Sequence, residues 1–255
     1  MTRARRALPA GSPKRVIRTC TFAVLFDMDG LMLDTEPLAA RAWGDAAQAL
    51  GVAFDDAVCA RLIGRNFADC EHLIRAHHGT DYPVRDLMQR WGEAYDAIVA
   101  REGIRVKIGL AELLDWLDAH RVPRAVATST RRARAVAKLA HACLLDRFGA
   151  IVGGDEVPRG KPEPDIYLEA ARRVHAPPEA CVVLEDSEPG VLAALAAGMR
   201  PIMVPDLAAP SPALRARGVP VMASLHDVRA RLASMIGDSG RAGARAIIAD
   251  PPGAS

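Results

Sequence analysis

No run of apolar residues in this chain approaches the ~20 that a membrane-spanning helix requires, which excludes an integral helical membrane protein. The first residues are basic and carry no apolar h-region, so they do not read as a secretory signal. Residues 1–19 hold Arg3, Arg5, Arg6, Lys14, Arg15 and Arg18 and no acid, and read as a disordered extension, with an amphipathic transit peptide as the alternative. There is no CxxC pair. The five cysteines (Cys20, Cys59, Cys70, Cys143, Cys181) are odd in number and scattered, indicating neither a disulfide framework nor a zinc site. Free thiols in a reducing compartment fit this pattern, and the cytoplasm is the expected location. Also missing is a basic surplus. The formal net charge is +2, and setting aside the six cations of the leader leaves −4 for the rest. Such a body offers no broad surface for nucleic acid. No internal repeat is present.

What is present is an alternation. Phe22-Ala23-Val24-Leu25 reads as a short buried strand. After it, Asp34 or Thr35 is placed to cap a helix running through Arg41 and Trp43 to Gly51. Residues 53–103 read as amphipathic helices broken near Gly64, Gly79-Thr80 and Tyr82-Pro83, with no strand. From Gly109 helices and strands alternate: helices over Leu110–His120, Arg131–Ala142, Asp165–Val174 and Gly190–Ala197, and strands over Ala125–Ala127, Ala150–Val152, Cys181–Leu184 and Pro201–Val204. Alternation of this kind marks an α/β fold, a Rossmann-like parallel sheet with right-handed crossovers. The gap of roughly a hundred residues between the first two strands is far longer than a crossover needs. The reading is therefore a discontinuous core (20–35 and 105–236) with an inserted helical domain over 36–104. Residues 237–255, rich in Gly, Ala, Pro and Ser, read as a flexible tail.

The densest chemical signal is Phe26-Asp27-Met28-Asp29-Gly30, directly after the first strand. Alternate strand residues point the same way, so Asp27 and Asp29 are expected to face one small volume. Like charges held that close need a cation or a shared proton. Three more polar clusters follow strands: Thr128-Ser129-Thr130, Gly160-Lys161-Pro162 and Glu185-Asp186-Ser187. Each has an ordinary reading alone: a helix N-cap, a solvated loop lysine, acids at a helix start. In a parallel sheet, however, all four emerge on one edge. Carboxylates for a hard cation, hydroxyl and amide donors and one lysine together suit phosphoryl transfer.

These motifs resemble those of the haloacid dehalogenase superfamily, in its phosphohydrolases with a helical cap, near β-phosphoglucomutase and the sugar-phosphate phosphatases. The match lies in residues 26–37 (Phe-Asp-Met-Asp-Gly-Leu-Met-Leu-Asp-Thr-Glu-Pro), Thr128-Ser129, residues 160–167 (Gly-Lys-Pro-Glu-Pro-Asp-Ile-Tyr), and Leu184-Glu185-Asp186-Ser187 with Gly190. The resemblance implies Asp27 as nucleophile and Asp29 as general acid and base. It implies Mg²⁺ held by the Asp27 carboxylate, the Asp29 backbone carbonyl and Asp186, with Glu185 beside it. Thr128 and the Ser129 amide would hold phosphate, Lys161 would bridge nucleophile and phosphate, and the helices of 36–104 would form the cap. Substrate contacts are expected from Thr35, Glu36, Gly64, Arg65, Asn66 and Thr130. The substrate implied is a small phosphate monoester, a sugar phosphate or nucleotide-like compound, and the molecule a monomer.

Asp29 argues against dehalogenation, since a leaving halide needs no proton. The alternative is a β-phosphoglucomutase-type phosphomutase, which shares every core motif. In those enzymes the cap helix resembles Arg41-Ala42-Trp43 but carries a His where Ala39 stands, and an Arg where Phe67 aligns. Both departures favour hydrolysis. Other residues receive the plainer reading: His72, His77 and His78 as solvated helix positions, Trp43, Trp91 and Trp116 as core, and Arg131, Arg132 and Arg134 as a solvated helix face.

Overall fold

The computed structural model describes residues 22–62 and 67–245. The expected extension 1–19 therefore lies outside the described residues, as do Gly64, Arg65 and Asn66 and the end of the expected tail, 246–255.

Five strands form one sheet: β1 (Ala23–Phe26), β2 (Arg124–Ala127), β3 (Ala150–Val152), β4 (Cys181–Glu185) and β5 (Arg200–Met203). They run in the order β3-β2-β1-β4-β5 and every pairing is parallel. The first strand lies one residue later than the sequence pattern suggests, because Phe26 pairs level with Val126 on one side and Leu184 on the other. β1 is central and wholly buried, which explains its uninterrupted apolar sequence. Its side chains alternate between two layers. Val24 and Phe26 pack with α5 (Leu110–Ala119), α6 (Arg132–His141) and α10 (Leu225–Arg245). Ala23 and Leu25 pack with α7 (Asp165–Arg173) and α8 (Glu188–Ala196). A short α9 (Pro212–Ala216) lies beside β5 through Leu214 and Met203.

Between β1 and α5 come α1 (Glu36–Leu50), α2 (Asp56–Leu62), α3 (Phe67–His78) and α4 (Val84–Glu102). Pro37 stands at the start of α1, and Gly51 ends it in the left-handed conformation. These helices carry a core of their own, centred on Trp43, whose ring stacks with Phe54 at 5.3 Å and Trp91 at 5.1 Å. Trp43 is thus core, as expected. His78 is not the solvated residue expected: its ring lies against Phe54 and Tyr82, and burial pulls its pKa down.

The chain enters and leaves this helical block side by side. The Asp34 amide donates to the Arg105 carbonyl at 2.9 Å, the Lys107 amide donates to the Met32 carbonyl at 2.9 Å, and Leu33 bridges Val106. At the far end of the chain, α10 continues to Arg245, so the first part of the expected tail, 237–245, is helical. No helix among the described residues is long and apolar enough to cross a membrane.

Candidate active site

The sheet reverses its strand order beside β1, where the chain has run outward through β2 and β3 and then returns to β4. Open α/β sheets hold ligands outside the carboxyl ends of strands at such a point. Asp27 directly follows β1, Thr128 directly follows β2, and Glu185 ends β4 with Asp186 next. Lys161 reaches the same place from the long loop after β3. The Asp27 amide donates to the Leu184 carbonyl at 3.0 Å, and the Thr128 amide to the Val152 carbonyl at 3.0 Å, so the sheet ladder runs right up to the site.

Lys161 is buried and joins two carboxylates, with Nζ 2.5 Å from Asp27 Oδ1 and 2.6 Å from Glu185 Oε1. Glu185 is fully buried; Tyr167 donates to Oε1 at 2.6 Å, while the Ser187 amide and hydroxyl donate to Oε2 at 3.1 and 2.9 Å. Ser187 also caps α8 by accepting from the Gly190 amide. Two glycines make room for this arrangement. At Gly30, with φ of 86°, a Cβ would overlap the Asp186 carboxylate; at Gly190 it would overlap that of Glu185.

Asp27, Glu185 and Asp186 each bring a carboxylate oxygen within 4.8 Å of the others. Burial, then the repulsion of Glu185 and Asp29 against the attraction of Lys161, leave the Asp27 pKa pushed up to about 7. Burial, Asp27 and Glu185 push Asp186 well above the usual carboxylate range. One lysine against three carboxylates leaves excess negative charge in a dry place. Hard oxygen donors with that excess fit a divalent cation.

Asp29 shares the neighbourhood but not the partners. Both aspartates line one cavity, as expected, but their side chains take different partners: β1 ends at Phe26, and the tight turn at Gly30 breaks strict alternation. Thr35 Oγ1 donates to Asp29 Oδ1 at 2.8 Å, Lys138 Nζ to the same oxygen at 2.6 Å, and Thr130 Oγ1 to Oδ2 at 2.7 Å. Burial alone raises a carboxyl pKa, but the Lys138 charge and these donors outweigh it and hold Asp29 below its ordinary value. The Asp29 side chain is accordingly no member of the carboxylate cluster.

Neither Thr35, expected as a cap, nor the Thr-Ser-Thr cluster caps a helix through its side chain. Thr35 stands at the N-cap of α1, yet its hydroxyl goes to Asp29 and not to the helix. The Thr-Ser-Thr cluster caps no helix either: α6 begins after Arg131 without a side-chain cap, Thr128 Oγ1 accepts from the Thr130 amide, and Thr130 turns to Asp29.

A cavity of about 1200 Å³ opens over these residues between core and helical block. Asp27, Asp29, Thr128, Ser129, Thr130 and Lys161 form its floor, Thr35 and Glu36 its side, and Ala39, Trp43, Met88, Trp91 and Tyr95 face it from the helices. Glu185 and Asp186 lie behind Asp27 and not on the wall. Burial, together with the charges of Asp29 and Asp206, lifts Glu36 to about 7.

Sequence reasoning missed two residues. Lys138 is buried in α6 beside Ala135 and Leu139; a single lysine within that apolar stripe was the available signal. Arg134, expected on a solvated face, crosses to α4: Nη2 donates to Asp96 Oδ1 at 2.7 Å and to the Gly92 carbonyl at 3.1 Å, and the guanidinium lies over Trp91 and Tyr95.

The family model for haloacid dehalogenase-like hydrolases matches residues 23–198. The chain belongs to the haloacid dehalogenase-like hydrolase family. This hydrolase is 33% identical over 180 residues to a phosphorylated carbohydrates phosphatase of Thermotoga maritima, covering 71% of this chain and 83% of that one. It is 31% identical over 183 residues to a β-phosphoglucomutase of Bacillus subtilis, covering 69% and 80%. Among solved structures, CbbY from Rhodobacter sphaeroides in complex with phosphate superposes with a TM-score of 0.69 at 29% identity, over 81% of this chain and 95% of that one. The hydrolase spans 50% of the length of one longer relative.

Proposed function

We propose that this hydrolase is a Mg²⁺-dependent phosphatase that cleaves small phosphate monoesters, sugar phosphates or nucleotide-like compounds, through an aspartyl-phosphate. The observation that carries this reading is the division of labour between the two aspartates. Asp27 is tied to Lys161 and grouped with Glu185 and Asp186. Asp29 carries its own donors on the same cavity floor.

In this reading an Asp27 oxygen attacks phosphorus, one P–O bond forms, and the ester P–O bond breaks. The alcohol leaves with a proton from Asp29. That proton arrives with the substrate, because a monoester has its second pKa at about 6 and its monoanion carries one. Asp29 then takes a proton from the water that attacks the aspartyl-phosphate, releasing phosphate and restoring Asp27. Lys161 holds the Asp27 carboxylate in place, while the Thr128 hydroxyl and the Ser129 amide supply donors for phosphate oxygens. The Asp27 and Asp186 carboxylates and the Asp29 carbonyl, with Glu185 behind, would hold Mg²⁺, which would supply charge neutralisation at the phosphate. Thr35, Glu36 and Thr130 would contact the alcohol, together with Gly64, Arg65 and Asn66. The block 36–104 is the cap that excludes water, and residues 20–35 with 105–236 are the catalytic core.

Relatives of both kinds make a phosphomutase the competitor. Ala39 supports hydrolysis: it lines the cavity where mutases resemble this chain but for a His, and alanine has no group to exchange a proton with a sugar hydroxyl. A cytoplasmic monomer is the assembly and location proposed.

The test is Mg²⁺-dependent release of phosphate from 4-nitrophenyl phosphate and a panel of monoesters, lost in Asp27→Asn. Silence across the panel sinks the phosphatase reading. Glucose 6-phosphate as the main product from β-glucose 1-phosphate establishes the mutase instead.

A further inference from the structure

Of the three donors on Asp29, two come from residues already placed at this site. Thr35 precedes the cap, and Thr130 lies in the loop assigned to phosphate. The third is Lys138, on the second turn of α6, and nothing in the chemistry above requires it. A buried ammonium persists only where it is paired and hydrogen-bonded. The Lys138 side chain is 8% exposed, and its Nζ lies 2.6 Å from Asp29 Oδ1. Its other side is closed from the helical block, where the ring of Tyr95 on α4 has its centre 4.9 Å away. Arg134, one turn earlier on α6, grips the same stretch of α4 through Asp96 and the Gly92 carbonyl.

All three donors meet an ionised carboxylate, so all three bonds are charge-assisted. Lys138 alone adds a full positive charge, held in a buried place on a stem fixed by its helix. Lys138 is thus the contact that selects one rotamer of Asp29, and Tyr95 confines Lys138 in turn. From this geometry we propose that Lys138 is a positioning residue for proton transfer to the leaving alcohol: it holds the Asp29 carboxyl at the cavity floor, with the α4 face of the cap completing the clamp. The inference rests on the phosphatase reading and on Asp29 as its acid.

The test compares two leaving groups. A nitrophenolate departs without a proton, whereas an alkoxide needs one. The ratio of kcat/KM for the alkyl monoester that the wild type turns over fastest to kcat/KM for 4-nitrophenyl phosphate therefore reports how well the acid is placed, and it cancels losses common to both. Misplacing a general acid costs on the order of 10²–10⁴-fold at full effect. In Lys138→Met the ratio is expected to fall tenfold or more, and Lys138→Arg is expected to recover part of it. Parallel loss on both substrates, or an unmoved ratio, overturns the proposal and leaves Lys138 a structural ion pair. Should Lys138→Met not fold, Lys138→Gln is read by the same ratio. A wild type silent on both substrates would overturn the phosphatase reading instead, so the two failures are distinguishable.

Discussion

Glu185 is fully buried, and donors from Lys161, Tyr167 and Ser187 fill both of its oxygens. With both oxygens so occupied it serves to fix Lys161 and the start of α8, which suits a place behind the proposed metal site. Gly190 is the counterpart of that arrangement. Adding one methyl there drives a Cβ into the Glu185 carboxylate, which has no free direction to retreat. Gly190→Ala is therefore expected to cost about 1–3 kcal/mol by overpacking, read by urea unfolding. Because outer-shell partners typically change metal affinity 10–100-fold, Mg²⁺ binding by calorimetry is expected to weaken by at least about tenfold in the same variant. At this scale much of the site was legible. Asp27, Asp29, Thr128, Lys161, Glu185 and Asp186 sit in local motifs whose order along the chain carries the signal. Lys138 was not legible, because its partner is over a hundred residues away and its own neighbours are an ordinary amphipathic helix.

The elements follow the hydrophobic pattern closely where they are buried on both faces, as β1 and β4 are. They depart from it where a polar side chain has a better partner than its own helix. Thr35 and Thr130 look like caps and serve Asp29 instead, and no local rule anticipates a competitor brought in by tertiary folding. Arg134 is the same lesson on α6: its repeated cations suggest a solvated face, but α4 lies across it. The Arg134–Asp96 pair is partly exposed, so its ion-pair contribution is about 0.2–1 kcal/mol. The contacts with Trp91 and Tyr95 add about 0.5–1 kcal/mol. Arg134→Ala is expected to destabilise by about 1 kcal/mol in urea titration. Arg134→Lys is expected to recover less than half, since an ammonium cannot reproduce the planar fork over two rings.

For the whole molecule, the buried carboxylates couple folding to metal and pH. Asp27 rises from 3.8 to about 7 in the folded chain, Glu36 reaches about 7, and burial with the charges of Asp27 and Glu185 holds Asp186 well above the usual carboxylate range. A carboxyl whose folded pKa exceeds its unfolded value stabilises the fold below the unfolded pKa, and that contribution is lost as pH rises through the folded pKa. Without metal, this part of the stability therefore declines between about pH 4 and about pH 7. On the proposed reading Mg²⁺ would reverse the sign, because it would need Asp27 and Asp186 deprotonated and would have to displace their protons at low pH. The rise in melting temperature caused by a fixed excess of Mg²⁺ is expected to be small at about pH 6 and clearly larger at about pH 8, with binding tightening by about tenfold per pH unit for each proton released. A shift independent of pH would place the cation away from these carboxylates.

The paired crossings at Asp34–Arg105 and Met32–Lys107 give the helical block an unusual kind of independence. Its two ends are neighbours, so the block is a bubble blown from one point of a hairpin-like neck. Closing that neck with a short turn costs the core little chain entropy, since its ends already meet. One bubble can therefore be exchanged for another, longer or shorter, without shifting the register of any strand. The sheet and the block are thus separable parts of one chain, joined at a neck two chain segments wide.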